Sequence, residues 1–264
     1  MTLKKISLNP KLTAFLDLIV NLILILIIIK ISSWMLFIII FLTRQFLWGL
    51  FIRLTYYPKE KLRLKHYLSL LAFSTGLYLT LIFIDWTVAF YILIIIFLAL
   101  VFISFWFLPG SKIQLNIFLK PYTRWRFVLS SLGLAGIFIG LQSMMFYQIS
   151  YYINNWVWYI CSAIVSTAIA AWWWYEYRIK LNTKFYITTG IFLILMTELI
   201  WVISKLPIGN IVGGLLLAWS WYIIWLLNRF NLTVEGIKWK KQIKFLIINL
   251  SLLAIFLIFI VRWK

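Results

Sequence analysis

Long, uninterrupted runs of apolar residues dominate this chain. They are roughly 17–22 residues long, which is the length that an α-helix needs to cross about 30 Å of hydrocarbon. Runs such as "LILILIII" are continuous, whereas strands of a membrane barrel alternate apolar and polar residues. The pattern predicts an all-α, polytopic membrane helical bundle with about nine transmembrane helices, at 12–29, 33–52, 67–84, 86–108, 127–148, 156–175, 185–204, 209–228 and 245–261.

Composition agrees with a membrane location. The chain is 65% hydrophobic, while soluble domains are close to half apolar. No stretch between the predicted spans is long enough for a folded soluble domain. The largest connection, 109–126, is expected to hold at most a short helix at the membrane interface. We therefore expect one integral-membrane domain over 1–264 and no soluble domain.

Basic residues follow a topological pattern. The formal net charge is +19, and 20 of the 25 Lys and Arg residues fall at one side of the predicted nine spans. Cytoplasmic segments are enriched in Lys and Arg, so the N-terminus is predicted inside and the C-terminus outside. This bias accounts for the charge without a nucleic-acid partner. Anionic lipid headgroups are expected partners of the basic inner face.

Tryptophan positions fit the same scheme. Several lie near predicted span ends, where amphipathic rings prefer the membrane interface. The cluster Trp172–Trp174, together with Trp48 and Trp225, is therefore interpreted as part of an inner interfacial belt. The single Cys161 excludes an internal disulfide and is interpreted as a small packing residue.

Motifs for catalysis and metal binding are missing from the sequence. There is one histidine, His66, and no His or Cys pair has the spacing of metal ligands. The six acidic residues form no cluster, and no serine lies in a nucleophile elbow. We expect neither a metal nor a cofactor, and the residues favour a non-enzymatic protein.

Two charged residues are predicted to pair inside the membrane. Asp17 and Arg44 lie 13 residues before Lys30 and 13 after Ile31, respectively, on either side of a short connection. In an antiparallel hairpin they should therefore share one depth, and Asn21 lies one turn from Asp17 on the same face. Because buried charges need partners, we predict a structural ion pair between Asp17 and Arg44.

Glu198 is the intramembrane acid without such a partner. It lies in "TELIWVISKLPIG", seven residues before Lys205. Intramembrane charges are costly and often functional, so Glu198, Gln142 and Arg44 form a candidate intramembrane polar site. The alternative interpretation is a helix-packing contact in which a neighbouring helix satisfies Glu198.

Small residues recur at helical spacing on two spans. Gly133, Gly136 and Gly140 line one face of the fifth span, and Gly214 and Ala218 line one face of the eighth. Such faces allow helix backbones to approach closely, so these residues are predicted to be helix-packing positions.

The C-terminal third resembles a known group of proteins. An acid, then an aromatic residue, then a Leu-Pro turn occur as Glu198, Trp201 and Leu206-Pro207, followed by the basic stretch "EGIKWKKQIKFL". Over roughly residues 190–264 this resembles uncharacterised polytopic membrane proteins of Patescibacteria. The resemblance implies a bacterial source and an inner-membrane location, but no activity.

These observations favour a non-enzymatic membrane subunit or scaffold that packs with protein or lipid partners. A small membrane transporter or lipid carrier with a polar site near Glu198 is the alternative, and an intramembrane transferase is the third candidate. A transporter should show a central cavity lined by Glu198, Gln142 or Arg44. A scaffold should show these groups satisfied by packing, or facing a partner.

Overall fold

A computed structural model describes residues 9–30, 34–55, 60–84, 87–106, 115–146, 154–233, 236 and 239–260. Within these ranges the chain is helical and contains no strand. The helices are α1 (Pro10–Lys30), α2 (Trp34–Thr55), α3 (Glu60–Ile82), α4 (Thr87–Trp106), α5 (Leu115–Phe146), α6 (Asn155–Glu176), α7 (Thr183–Lys205), α8 (Asn210–Leu232) and α9 (Trp239–Ile255), and a π-helical turn, Phe256–Ile260, follows α9.

Each predicted span overlaps one of these helices. Seven of the described helices are long and apolar enough to cross a membrane: α1, α2, α4, α5, α6, α7 and α8. This property indicates a multi-pass membrane protein. Helix α3 is not among these seven helices, and the apolar part of α9, Gln242–Ile258, is shorter. The count of nine spans therefore stays a prediction.

Helix α5 is longer than its predicted span. It begins at Leu115 and runs for 32 residues, so most of the predicted separate helix within 109–126 is continuous with it.

Other predictions fall outside the described residues. These are the spans' ends at 33, 86, 107–108, 147–148 and 261, and basic residues of the predicted topology, namely Lys4, Lys5, Lys59, Lys112, Lys238, Arg262 and Lys264.

The chain forms two compact units. Unit 1 comprises Met1–Leu77 and Ile84–Ser130, and unit 2 comprises Tyr78–Phe83 and Ser131–Lys264. In unit 1, α1 packs against α2 and α4. Phe15 contacts the rings of Phe102 and Trp106 on α4, with ring centroids 5.4 and 5.8 Å apart. In unit 2, α7 packs against both α6 and α8.

The interfacial interpretation of the tryptophans is wrong for several of them. Trp173 and Trp174 of α6 and Trp225 of α8 are buried in unit 2, as is Trp221 of α8, for which no interfacial position was predicted. Trp174 Nε1 donates to the Trp225 carbonyl (3.3 Å), and Trp221 Nε1 donates to the Ser166 carbonyl (3.1 Å). Because a buried indole needs an acceptor, these bonds let tryptophan serve as core between α6 and α8.

Candidate functional site

Asp17 and Arg44 meet inside unit 1 as a closed ion pair. Arg44 Nη1 donates to Asp17 Oδ1 at 3.0 Å, and Nη2 donates to Oδ2 at 3.4 Å. Neither side chain is exposed. The structure thus contains the pair that the hairpin register predicts, with the two-point geometry through which Arg binds a carboxylate most strongly.

Two further side chains complete the shell around Asp17. Trp48 Nε1 donates to Oδ1, and Asn21 Nδ2 donates to Oδ2, each at 2.8 Å. The Arg44 guanidinium also lies 3.7 Å from the Trp48 ring centroid, which is a close cation–π contact. Asn21 was predicted to take part, whereas Trp48 had been interpreted as interfacial. Its burial follows from the carboxylate that accepts its indole N–H.

The predicted small-residue faces permit close helix approach in unit 2. A Cβ placed on Gly140 would lie 2.6 Å from Leu79 Cβ, and one on Gly214 would lie 2.5 Å from the Ile139 backbone. Real Cβ atoms do not reach such distances, so both positions require glycine. Gly136 accepts a hydrogen bond from Thr80 Oγ1 through its carbonyl (3.4 Å). Gly133 is also buried, while Ala218 of α8 is partly exposed.

Gln142 lies in the packed interior of unit 2. It is 7% exposed, and its Nε2 has no hydrogen-bond partner among the described residues. A Cβ on Gly213 would lie 3.6 Å from both Gln142 Oε1 and Ile203 Cγ2. Gln142 therefore faces α8 and the packed side of α7.

Glu198 lies on the opposite side of α7 and is exposed. Residues Thr188, Phe192, Met196, Ile200 and Ile203 form the packed face of this helix. Met196 and Ile200, two positions before and after Glu198, are about 160° away around the helix axis. The structure consequently does not bring Glu198 and Gln142 together as a shared polar site.

An apolar surface surrounds Glu198. We call it the exposed face of α7, and it consists of Ile187, Ile191, Ile194, Leu195, Glu198, Trp201 and Val202. Among the described residues, no hydrogen bond or ion pair to the Glu198 carboxyl is found. Lys205 is about 10 Å along the helix axis and is also exposed.

No protein-family model, curated protein or solved structure matches the chain. Within the residues that the structure describes, no group of three or more His, Cys, Asp or Glu side chains is arranged to hold a metal ion.

An aromatic pair beside Glu198 was missed at the sequence level. Trp201 of α7 stacks on Trp156 of α6, with centroids 6.2 Å apart and planes 16° from parallel. Both rings remain 42% and 50% exposed, respectively. The signal was present, since Trp201 follows Glu198 by three positions and shares its helix face.

Cys161 is also exposed on α6, contrary to its interpretation as a packing residue.

Proposed function

We propose that this chain is a non-enzymatic subunit of a membrane assembly, and that it packs with partners through the exposed face of α7. The orientation of Glu198 carries this proposal. A charged side chain at the centre of a membrane helix costs about 3 kcal/mol on insertion scales. Such residues almost always face protein or a water-filled cavity, so a partner that covers Glu198 removes this cost.

The other charged group of the candidate site supports a subunit more than a transporter. Arg44 is bound by Asp17 and stacked on Trp48, and its side chain is fully buried. A substrate would have to displace those contacts. Gln142 lies within the packing of α5 and α8, on the far side of α7 from Glu198. These placements favour a scaffold in which the internal groups serve packing.

The location and topology form part of the proposal. We propose a bacterial inner membrane, with the N-terminus inside and the C-terminus outside, and with anionic lipid at the basic inner face. The bias of Lys and Arg supports the orientation. The resemblance of residues 190–264 to polytopic proteins of Patescibacteria supports the source.

Site-specific photocrosslinking tests the proposal. A photoreactive amino acid would replace Ile194, which is 60% exposed, in intact membranes at native expression. Ile95 of α4, at 66% exposure, is the matched control on an apolar surface. We expect one and the same protein adduct from Ile191, Ile194 and Val202, and lipid adducts alone from Ile95. Lipid adducts alone from all four positions would contradict the proposal.

A lipid carrier is the second candidate, because such a carrier would use the exposed Glu198 carboxyl as a polar site within the membrane. Purified protein in vesicles would be assayed for transfer of a fluorescent phospholipid between leaflets. Transfer that Glu198→Gln abolishes would favour the carrier. Vesicles in which wild type and Glu198→Gln both match protein-free controls would favour the subunit.

A further inference from the structure

The surroundings of Glu198 define the chemistry of the partner. We propose that Glu198 and the Trp156–Trp201 pair form a docking subsite for a basic side chain, Lys or Arg, carried by a transmembrane helix of a different protein. This inference rests on the proposed subunit function and specifies what the exposed face of α7 recognises.

The subsite combines two groups that attract a cation. The carboxylate provides a negative charge and acceptors for charge-assisted hydrogen bonds. Trp201, one turn towards the C-terminal end of α7, provides an indole face, and tryptophan is the strongest cation–π partner among the aromatic residues. Trp156 stacks on Trp201 and is half exposed, so the aromatic surface continues onto α6.

The shape of the surface favours a helix over a lipid headgroup. Glu198 lies about 10 Å below the α7 end at Lys205, which is deeper than the headgroup region. The exposed apolar side chains run from Ile187 to Val202, which is about 22 Å of helix. A surface of that length matches a second transmembrane helix.

The charges of the described residues argue against a second copy of this chain as the occupant. Among the described residues, the basic side chain nearest mid-span is Arg44, and Asp17 already binds it in a fully buried pair. Two copies packed through α7 in the same orientation would place carboxyl beside carboxyl. The charge therefore favours a different protein as the occupant.

The single native cysteine allows a direct test. Cys161 is the one cysteine of the chain, and it is exposed on α6, which packs against α7. A donor fluorophore on Cys161 would report the binding of acceptor-labelled helical peptides in vesicles. The probe is a Leu/Ala transmembrane peptide with one Lys seven residues from its end, to match the spacing of Glu198 and Lys205. The matched control peptide carries Leu at that position.

We expect the Lys peptide to bind roughly tenfold more tightly than the Leu peptide, the range found for polar contacts between model membrane helices. Glu198→Gln should abolish the difference, and Trp201→Leu should reduce it several-fold while retaining an apolar surface. Wild-type binding of both peptides with equal affinity would overturn the cation subsite.

Other outcomes separate this inference from the proposed function. Equal peptide binding together with a protein adduct from Ile194 would leave the subunit function intact and refute the cation subsite. Energy transfer between donor- and acceptor-labelled copies of this chain, lost in Glu198→Gln, would instead identify a second copy as the occupant. Native mass spectrometry showing an aminophospholipid bound to wild type but not to Glu198→Gln would identify a lipid and refute the helix.

Discussion

Asp17 and Glu198 are both acids within apolar helices, but their surroundings in the two compact units are opposite. In unit 1, Asp17 receives hydrogen bonds from Arg44, Trp48 and Asn21 and has no exposure. In unit 2, Glu198 projects from the exposed face of α7, and the described residues provide it with no ion pair.

The contrast separates two uses of charge within a membrane protein. A carboxylate with a complete internal shell fixes how its own helices pair, here α1 with α2. A carboxylate directed away from its own unit contributes nothing to internal packing, so its energetic cost has to be offset by something outside the unit. Substitutions in both units test this division of roles between the two acids.

The largest effect is expected for Asp17→Asn. The substitution keeps the size of the side chain but leaves Arg44 charged and buried without its counter-ion. Removing one partner of a buried ion pair typically costs about 3–5 kcal/mol. The free energy of unfolding, measured by denaturant titration in mixed micelles, should fall by about that amount. Asp17→Asn combined with Arg44→Gln should recover part of the loss, and a double-variant loss equal to the sum of the two single losses would contradict a coupled pair.

A smaller effect is expected for Gly214→Ala. The added Cβ would lie 2.5 Å from the backbone of Ile139, which cannot move as a flexible side chain would. Overpacking of this kind costs about 1–3 kcal/mol in the free energy of unfolding. Gly190→Ala on α7 is the matched control, because nothing lies within 4 Å of its added Cβ. A loss in Gly190→Ala as large as in Gly214→Ala would contradict the steric explanation.

Trp174→Phe should lower the free energy of unfolding by a smaller amount than Gly214→Ala. It removes the indole N–H that donates to the Trp225 carbonyl at 3.3 Å but keeps an aromatic ring in the core of unit 2. We expect a loss of about 1 kcal/mol from the hydrogen bond, with a further contribution from the smaller ring. Trp201→Phe, on the exposed face, should leave the unfolding free energy nearly unchanged. Equal effects of the two substitutions would refute the core assignment of Trp174.

The sequence was informative about where residues lie along the helices and weak about the direction in which their side chains point. Each apolar run overlaps one described helix, although α5 begins at Leu115 and not near 127, and the spacing of Asp17 and Arg44 around one connection was enough to predict their pair. The position of Trp173 and Trp174 along the helix led to their wrong interpretation as interfacial residues. Both lie near a helix end, where a belt is expected, but the burial of their rings depends on the path of α8, which α6 alone does not specify.

The side of α7 on which Glu198 lies could not be predicted from the sequence, for a related physical reason. Helix α7 is apolar on both its packed and its exposed sides, with Met196 and Ile200 on one and Ile194 and Val202 on the other. In a soluble helix the polar face marks the solvent, but lipid and protein interior are both apolar. Periodicity therefore could not decide which side of α7 carries the packing.

Glu198→Gln is expected to have the smallest effect on folding, and it distinguishes an acid that serves a partner from one that stabilises its own chain. If Glu198 serves a partner, the purified variant should unfold with a free energy within about 0.5 kcal/mol of wild type, as is usual for exposed substitutions. Asp17→Asn, measured in the same micelles, is the internal reference. A loss in Glu198→Gln comparable to that in Asp17→Asn would show that Glu198 stabilises its own chain, and it would contradict the division of roles between the two acids.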